Sequence, residues 1–381
     1  MSQATTVRRY VKVDAARASV FEWRIGFLLG LPIAIPSPPY YWFAFLCFFA
    51  VVLRDRHRPV HGSAARELAI AAIVVVALLS NIVGLVRNNL DTGRIVTTSF
   101  FFLFFLFAGF IHDKRALLDG LCRAMLIWAI LIVCMGTYLR IYENGLLLFS
   151  VPEFRLWGSE FFPDWPNYIA FLLSLAFLLN VLAFKRPFAA TVQFAAALLT
   201  TSRTPFIALG FVIVATVLLR LRARRGKWIL ASIGALALVV LAMQAVELMD
   251  VDADLADRLL VFEDREDIYT FGFDLFMQSP FVGHGAILLD ESIGFTGQPS
   301  FHNSYLDIAV RHGFFGLVLF LALLIPTRTN LRRGGVPFAS VIMFFLVGSL
   351  FQNFLKHPHI ILLYVVFIEA GSLFDRTTQL E

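Results

Sequence analysis

Residues 67–86 read ELAIAAIVVVALLSNIVGLV, and after Glu67 no ionisable side chain interrupts the run. A helix over this stretch, rising about 1.5 Å per residue, is about 30 Å long, which is the thickness of a bilayer's hydrocarbon core. It has no charged face to turn toward water, so lipid is the solvent it predicts. The same signal recurs along the chain. Apolar segments over Phe21–Pro36, Tyr40–Leu53, Ile95–Ile111, Ala116–Leu139 and Pro166–Phe184 join Glu67–Val86 as predicted helices. A second set covers Pro187–Leu199, Pro205–Leu219, Lys227–Leu248, Asn303–Ile325, Val336–Phe354 and Pro358–Phe374. The first two are short and separated by Pro36, Pro38 and Pro39, which suits a tight helical hairpin.

Composition agrees. Only 15% of the 381 residues are charged and 59% are hydrophobic, with 41 phenylalanines. A soluble domain carries about 25% charged residues, and this length would otherwise suggest two or three soluble domains. The expectation is therefore one all-α, polytopic integral membrane domain over residues 1–381, with about twelve transmembrane helices. A large periplasmic loop, 249–301, precedes the tenth.

The formal charge of +5 invites a nucleic-acid partner, but its distribution removes one. Arg54/Arg56/Arg58, Lys114/Arg115, Lys185/Arg186, Arg220/Arg222/Arg224/Arg225/Lys227 and Arg328/Arg332/Arg333 fall in alternate connections, on one side with the basic stretch through Arg17. The positive-inside rule makes that side cytoplasmic and places both termini there, in a bacterial inner membrane. The N-terminal stretch reads as a retained tail, since no cleavage pattern follows Arg8-Arg9. Cys47, Cys122 and Cys134 lie in apolar segments and imply no disulfide framework. Few ionisable residues fall mid-span, Asp307 and Arg311 being the exception, and no internal repeat marks a transporter.

Chemistry is then expected on the outer face, where three features converge. Thr201-Ser202-Arg203-Thr204-Pro205 opens a helix, with Thr204 as a candidate cap and Pro205 in the first turn. Arg203 beside that helix N-terminus suits a phosphate, although an arginine snorkelling to the interface has the same spacing. The acidic loop holds Arg258 and Arg265 among eight carboxylates between Asp250 and Asp267. Arg265 reads either as a partner for those acids or as a second phosphate ligand. From Asp267 to Gln278, Ile268, Phe271, Leu275 and Phe276 recur at near-helical spacing, which predicts a helix along the membrane surface, ended by Pro280 and Gly283–Gly285. Last comes Phe301-His302-Asn303-Ser304-Tyr305, where the chain re-enters the membrane. His302 reads as a proton-moving group or as an interfacial histidine at a helix start. The aspartates lack calcium-loop spacing, and no histidine pair has a plausible third ligand, so no metal and no cofactor are expected.

These residues resemble the superfamily of O-antigen ligases and Wzy-type polysaccharide polymerases. His302-Asn303-Ser304-Tyr305-Leu306 followed by Arg311-His312-Gly313-Phe314-Phe315-Gly316 is similar to its HN-x-x-L and G-x-x-G signature. Arg265 and Ser279-Pro280-Phe281-Val282-Gly283-His284-Gly285 resemble its arginine and S-P-x-x-G-x-G turn, and Ser202-Arg203 its S-R motif. The resemblance is strongest from Thr200 to Ile325; Arg311-His312 stands where relatives often carry an acidic residue.

What the resemblance implies is a GT-C-like membrane fold and transfer of a glycan from an undecaprenyl-diphosphate-linked donor at the periplasmic face, without metal or nucleotide sugar. His302 would be the general base on the acceptor hydroxyl, and Arg203 and Arg265 would bind the diphosphate, with Arg258, Asn303 and Tyr305 in support. The acceptor would be a glycan, for a polymerase, or lipid A–core, for a ligase. Polymerase is favoured, because nothing matches a lipid A–core site. Membrane lipids and other polysaccharide export proteins complete the expected partners. A polysaccharide or lipid-carrier transporter is the competing class.

Overall fold

The computed structural model describes residues 19–32, 37–55, 64–86, 92–144, 166–200, 202, 204–221, 263–287, 301–354 and 358–374. Among these there is no strand. The helices are α1 (19–30), α2 (Ser37–Asp55), α3 (Ala64–Val86), α4 (Thr92–Ala108), α5 (Lys114–Asn144), α6 (Pro166–Leu179), α7 (Pro187–Leu199) and α8 (Thr204–Leu221). They continue as α9 (Glu263–Gln278), α10 (Ser304–Leu324), α11 (Arg328–Phe351) and α12 (Pro358–Ile368). A π-helical turn over Asn180–Phe184 extends α6, and a 3-10 turn, Gly371–Phe374, follows α12.

Four stretches are long and apolar enough to cross a membrane: Glu67–Val86, Lys114–Tyr138, Ser304–Leu324 and Arg328–Phe351. The predicted span Lys227–Leu248 and residues 249–262 and 288–300 of loop 249–301 lie outside the described residues. The predicted connection holding Arg328, Arg332 and Arg333 needs correction, because it is helical. It forms the first turns of α11 up to a break at Gly335 (φ 57°). The C-terminal span also differs. Pro358–Phe374 is an eleven-residue helix and a 3-10 turn, and every residue from Ile360 to Ile368 is buried. This helix is apolar on all sides, and it is protein rather than lipid that covers it.

Lipid is as apolar as leucine, so helices associate here through close packing and hydrogen bonds. Glycines let α1 and α5 cross in near contact: a Cβ on Gly26 would strike the Leu117 carbonyl, and one on Gly120 the Trp23 carbonyl. Phenylalanines fill the centre. The Phe171 ring lies 4.4 Å from that of Phe344 and 4.3 Å from that of Phe354.

These contacts set which helix ends meet. Arg186 pairs with Asp119, which also accepts from Trp23 Nε1 at 3.0 Å, and Lys114 pairs with Glu369 at 3.4 Å. The starts of α1, α5 and α7 and the end of α12 therefore share one end of the bundle, and it carries Lys114, Arg115, Lys185 and Arg186. Asn330 donates to the Ile368 carbonyl and brings Arg328, Arg332 and Arg333 to that end. The opposite end holds the start of α6 against the end of α11, through Phe171, Phe345 and Phe354.

Candidate functional site

Asn303 caps α10. Its side-chain oxygen accepts from the Tyr305 amide at 2.9 Å and the Leu306 amide at 3.0 Å, so two of the orphan donors of a helix start are met. The residue before it, His302, is half-buried and has φ 50°. Among the described residues only Lys185 is a second non-glycine in that left-handed region, which is costly for L residues and concentrates at functional turns. The strain is held by bonds on its C-terminal side. Ser304 Oγ donates to the Gln352 carbonyl at 2.8 Å and accepts from the Phe354 amide at 2.9 Å. The Tyr305 hydroxyl donates to the Leu346 carbonyl at 2.8 Å. The start of α10 is thereby bolted to the end of α11.

The start of α8 reaches the same end. α6 and α7 form an antiparallel pair about Lys185, and Phe194 of α7 lies against Phe177 of α6 and Phe206 of α8. Thr216 and Ser340 share a hydrogen bond of 2.6 Å, which joins α8 to α11, and α8 begins five residues after α7 ends, away from the Arg186 end. Thr204 and Pro205, at the helix start the sequence predicts, therefore stand at the end of the bundle where α10 opens. Arg203 itself and Arg258 lie outside the described residues. Ser202 is buried, its amide donating to Thr200 Oγ1 at 3.3 Å.

Helix α9 is the predicted amphipathic segment, longer by a turn. Its apolar positions Ile268, Phe271, Leu275 and Phe276 form a small core with Phe301, Leu306, Val310 and Ile287. Gly272 lies against the start of α10, where a Cβ would stand 2.8 Å from Leu306 and 2.9 Å from the Phe301 ring, the residues on either side of His302 and its cap. Position 265 is two turns N-terminal of Gly272 on the same face of α9, about 10 Å along the axis.

The turn after α9 does more than end it. Helix α10 is broken at Gly313 (φ 66°, ψ −171°), which frees backbone groups in an apolar surrounding where each unpaired one costs several kcal/mol. Residues 280–285 meet them. The amides of His284 and Gly285 donate to the carbonyls of Val310 and Arg311 at 2.9 and 2.8 Å, and the Phe314 amide donates to the Pro280 carbonyl at 2.7 Å. Gly283 and Gly285, at φ 78° and 77°, let the turn lie against Arg311 on one side and Ser80 of α3 on the other. Ser80 Oγ donates to the Val282 carbonyl at 2.6 Å, and Asn81 Oδ1 accepts from the Ala286 amide at 2.9 Å. His284 Nε2 donates to the Leu275 carbonyl at 2.6 Å. Ser80 and Asn81 are participants that sequence reasoning missed; their signal is a polar pair inside an otherwise apolar run.

Family comparison meets the geometry here. The model of the family described as O-antigen ligase matches residues 188–321. Over this segment the chain is similar to the O-antigen ligase family. The match covers roughly a third of the chain and takes in α8, α9, the docked turn and nearly all of α7 and α10, while α3 and α11, which brace them, lie outside it. No curated protein matches the chain. Within the O-antigen ligase segment, the S-P-x-x-G-x-G turn and the G-x-x-G are two halves of one joint, since the first supplies the hydrogen bonds that the second leaves open. The match supports glycan transfer in general. Among the described residues, no three His, Cys, Asp or Glu side chains are grouped to hold a metal ion.

Proposed function

We propose that the protein transfers a glycan from an undecaprenyl-diphosphate-linked donor to an acceptor hydroxyl at the periplasmic face of the inner membrane, as a polymerase of an O-antigen or exported polysaccharide. The observation that carries this is His302, held at positive φ directly before the capped start of α10 inside the O-antigen ligase segment. The acceptor hydroxyl gives its proton to the His302 imidazole as its oxygen bonds to the anomeric carbon. The bond from that carbon to the diphosphate oxygen breaks, and its electron pair leaves on undecaprenyl diphosphate. Arg203 and Arg265 bind that anion. The start of α8, adjoining position 203, opens at the end of the bundle where α10 does, and α9, carrying position 265, crosses at Gly272. Fixed cations and a helix N-terminus stabilise the charge as it develops. Asn303 and Tyr305 support His302 through the cap and the Leu346 bond, and Arg258 is a further cation on the loop.

The orientation follows from charge. The basic residues gather at the end opposite His302, and the positive-inside rule makes that end cytoplasmic. About twelve spans then carry the chain, with both termini inside and residues 249–301 forming the periplasmic loop.

The test compares envelope glycans of a deletion strain complemented with wild type or with His302→Ala. The variant is expected at normal membrane levels with transfer reduced about 100-fold or more, the scale of a lost general base. Single repeat units that persist on their acceptor while long chains vanish identify a polymerase. The description of the matched family favours a second reading, a ligase, for which long chains collect on the polyprenyl carrier and never reach lipid A–core. Full transfer by His302→Ala sinks both.

A further inference from the structure

We infer that Arg311 is a positioning residue for transfer, clamping the stem of the loop that leads into His302; the inference rests on the glycan-transfer reading above. Its guanidinium is 3% exposed and makes two bonds of different kinds. Nε donates to Asp307 Oδ2 at 3.1 Å, one turn nearer the cap, and one terminal nitrogen donates to the Ile287 carbonyl at 2.8 Å. Ile287 is the residue at which the docked turn departs for residues 288–300, and Phe301 is where the chain returns. Both ends belong to one small core with Leu275 and Val310. The two flanks of residues 288–300 are thus both fixed to α10, Phe301 by the cap that Asn303 makes and Ile287 by Arg311. Through the turn, the same bond holds α9, and with it position 265, at a set distance from His302.

A purely structural pair is a poor explanation. Two charges buried in an apolar interior carry a desolvation cost, and apolar side chains of similar volume often pack as well or better. What they cannot do is direct a hydrogen bond at a particular carbonyl. The planar guanidinium presents its donors in fixed directions, so satisfying Asp307 aims the second nitrogen at Ile287. Lysine keeps the charge beside Asp307 and loses that fork.

The test removes both charges together, so that neither is left uncompensated. In Asp307→Leu/Arg311→Met the buried pair is gone, the helix can still pack, and the Ile287 carbonyl has lost its donor. Spin labels at Phe273→Cys on α9 and Val318→Cys below the break, both exposed positions, report the α9–α10 distance once the exposed native Cys134 is replaced by serine. The double variant is expected at wild-type membrane levels, with a broadened distance distribution and glycan transfer at least ten-fold lower. Arg311→Lys is expected to fall between it and wild type. Wild-type transfer by the double variant overturns the proposal, whatever the distances show. An unchanged distance distribution does so too. If the double variant does not accumulate, Arg311→Lys decides: transfer equal to wild type overturns the clamp, and intermediate transfer supports it. His302→Ala assayed alongside keeps the two inferences apart, since full transfer there removes the glycan-transfer reading while the label distances still report on the clamp.

Discussion

Gly313 stands where α10 changes course, and a side chain there meets two obstacles at once. Its φ of 66° is unfavourable for any L residue, and a Cβ would strike the Phe281 carbonyl. Gly313→Ala is therefore expected to destabilise the protein by about 2 kcal/mol or more, read as a lowered melting temperature in detergent. Gly210 supplies the control. It lies in the interior of α8 with nothing within 4 Å of a Cβ, so Gly210→Ala should hold or slightly raise stability. At the cap, Asn303→Ala is expected to lose about 1 kcal/mol, whereas Asn303→Asp keeps an acceptor for the Tyr305 and Leu306 amides and should lose little. These residues were unequally legible. His302 and Asn303 could be read locally, because a cap announces itself by side-chain type beside an apolar run. The break at Gly313 could not, since hydropathy continues across it and its hydrogen-bond partners lie some thirty residues upstream. Asp307 and Arg311 were visible as a pair one helical turn apart, but a backbone carbonyl such as that of Ile287 leaves no mark in a sequence.

Elements behave as lever arms around these points. α9 approaches α10 as closely as it does because position 272 has no side chain. Gly272→Val is expected to push the helices apart and to lower glycan transfer at least ten-fold while the protein still reaches the membrane. Wild-type glycan ladders from that variant would remove the crossing from the mechanism. The amphipathic spacing of Ile268, Phe271, Leu275 and Phe276 foretold the helix and its buried face correctly. What it did not reveal was the partner: an apolar stripe looks the same whether it meets lipid or, as here, Phe301, Leu306 and Val310. The basic turns of α11 failed for a different reason. Arg328, Arg332 and Arg333 interrupt the hydropathy, and a helix that continues past the lipid boundary into water gives the same signal as a loop.

Across the molecule, the described basic residues of α7, α11 and the start of α5 gather at one end of the bundle. A labelling experiment turns this into a measurement. With Cys134 replaced by serine, Asp274→Cys on exposed α9 should react in intact cells with a membrane-impermeant maleimide, and Arg332→Cys should react only after lysis. The reverse pattern would turn the molecule over and move His302 to the cytoplasm. This sorting was readable in the alternation of basic connections, because it depends on chain order alone. The identity of the innermost helix was not. Hydropathy makes α12 another span, although its eleven residues are about 16 Å long, roughly half the hydrocarbon thickness, and the surrounding helices cover them.

The burial of α12 bears on how the protein is made. It packs against α2, α4, α5 and α11, all of which leave the ribosome before it does. The segment from Pro358 to Ile368 therefore reaches helices that are already made. Synthesis halted just before Pro358 would leave every candidate group of the outer face present and the side chains that α12 covers without that packing partner.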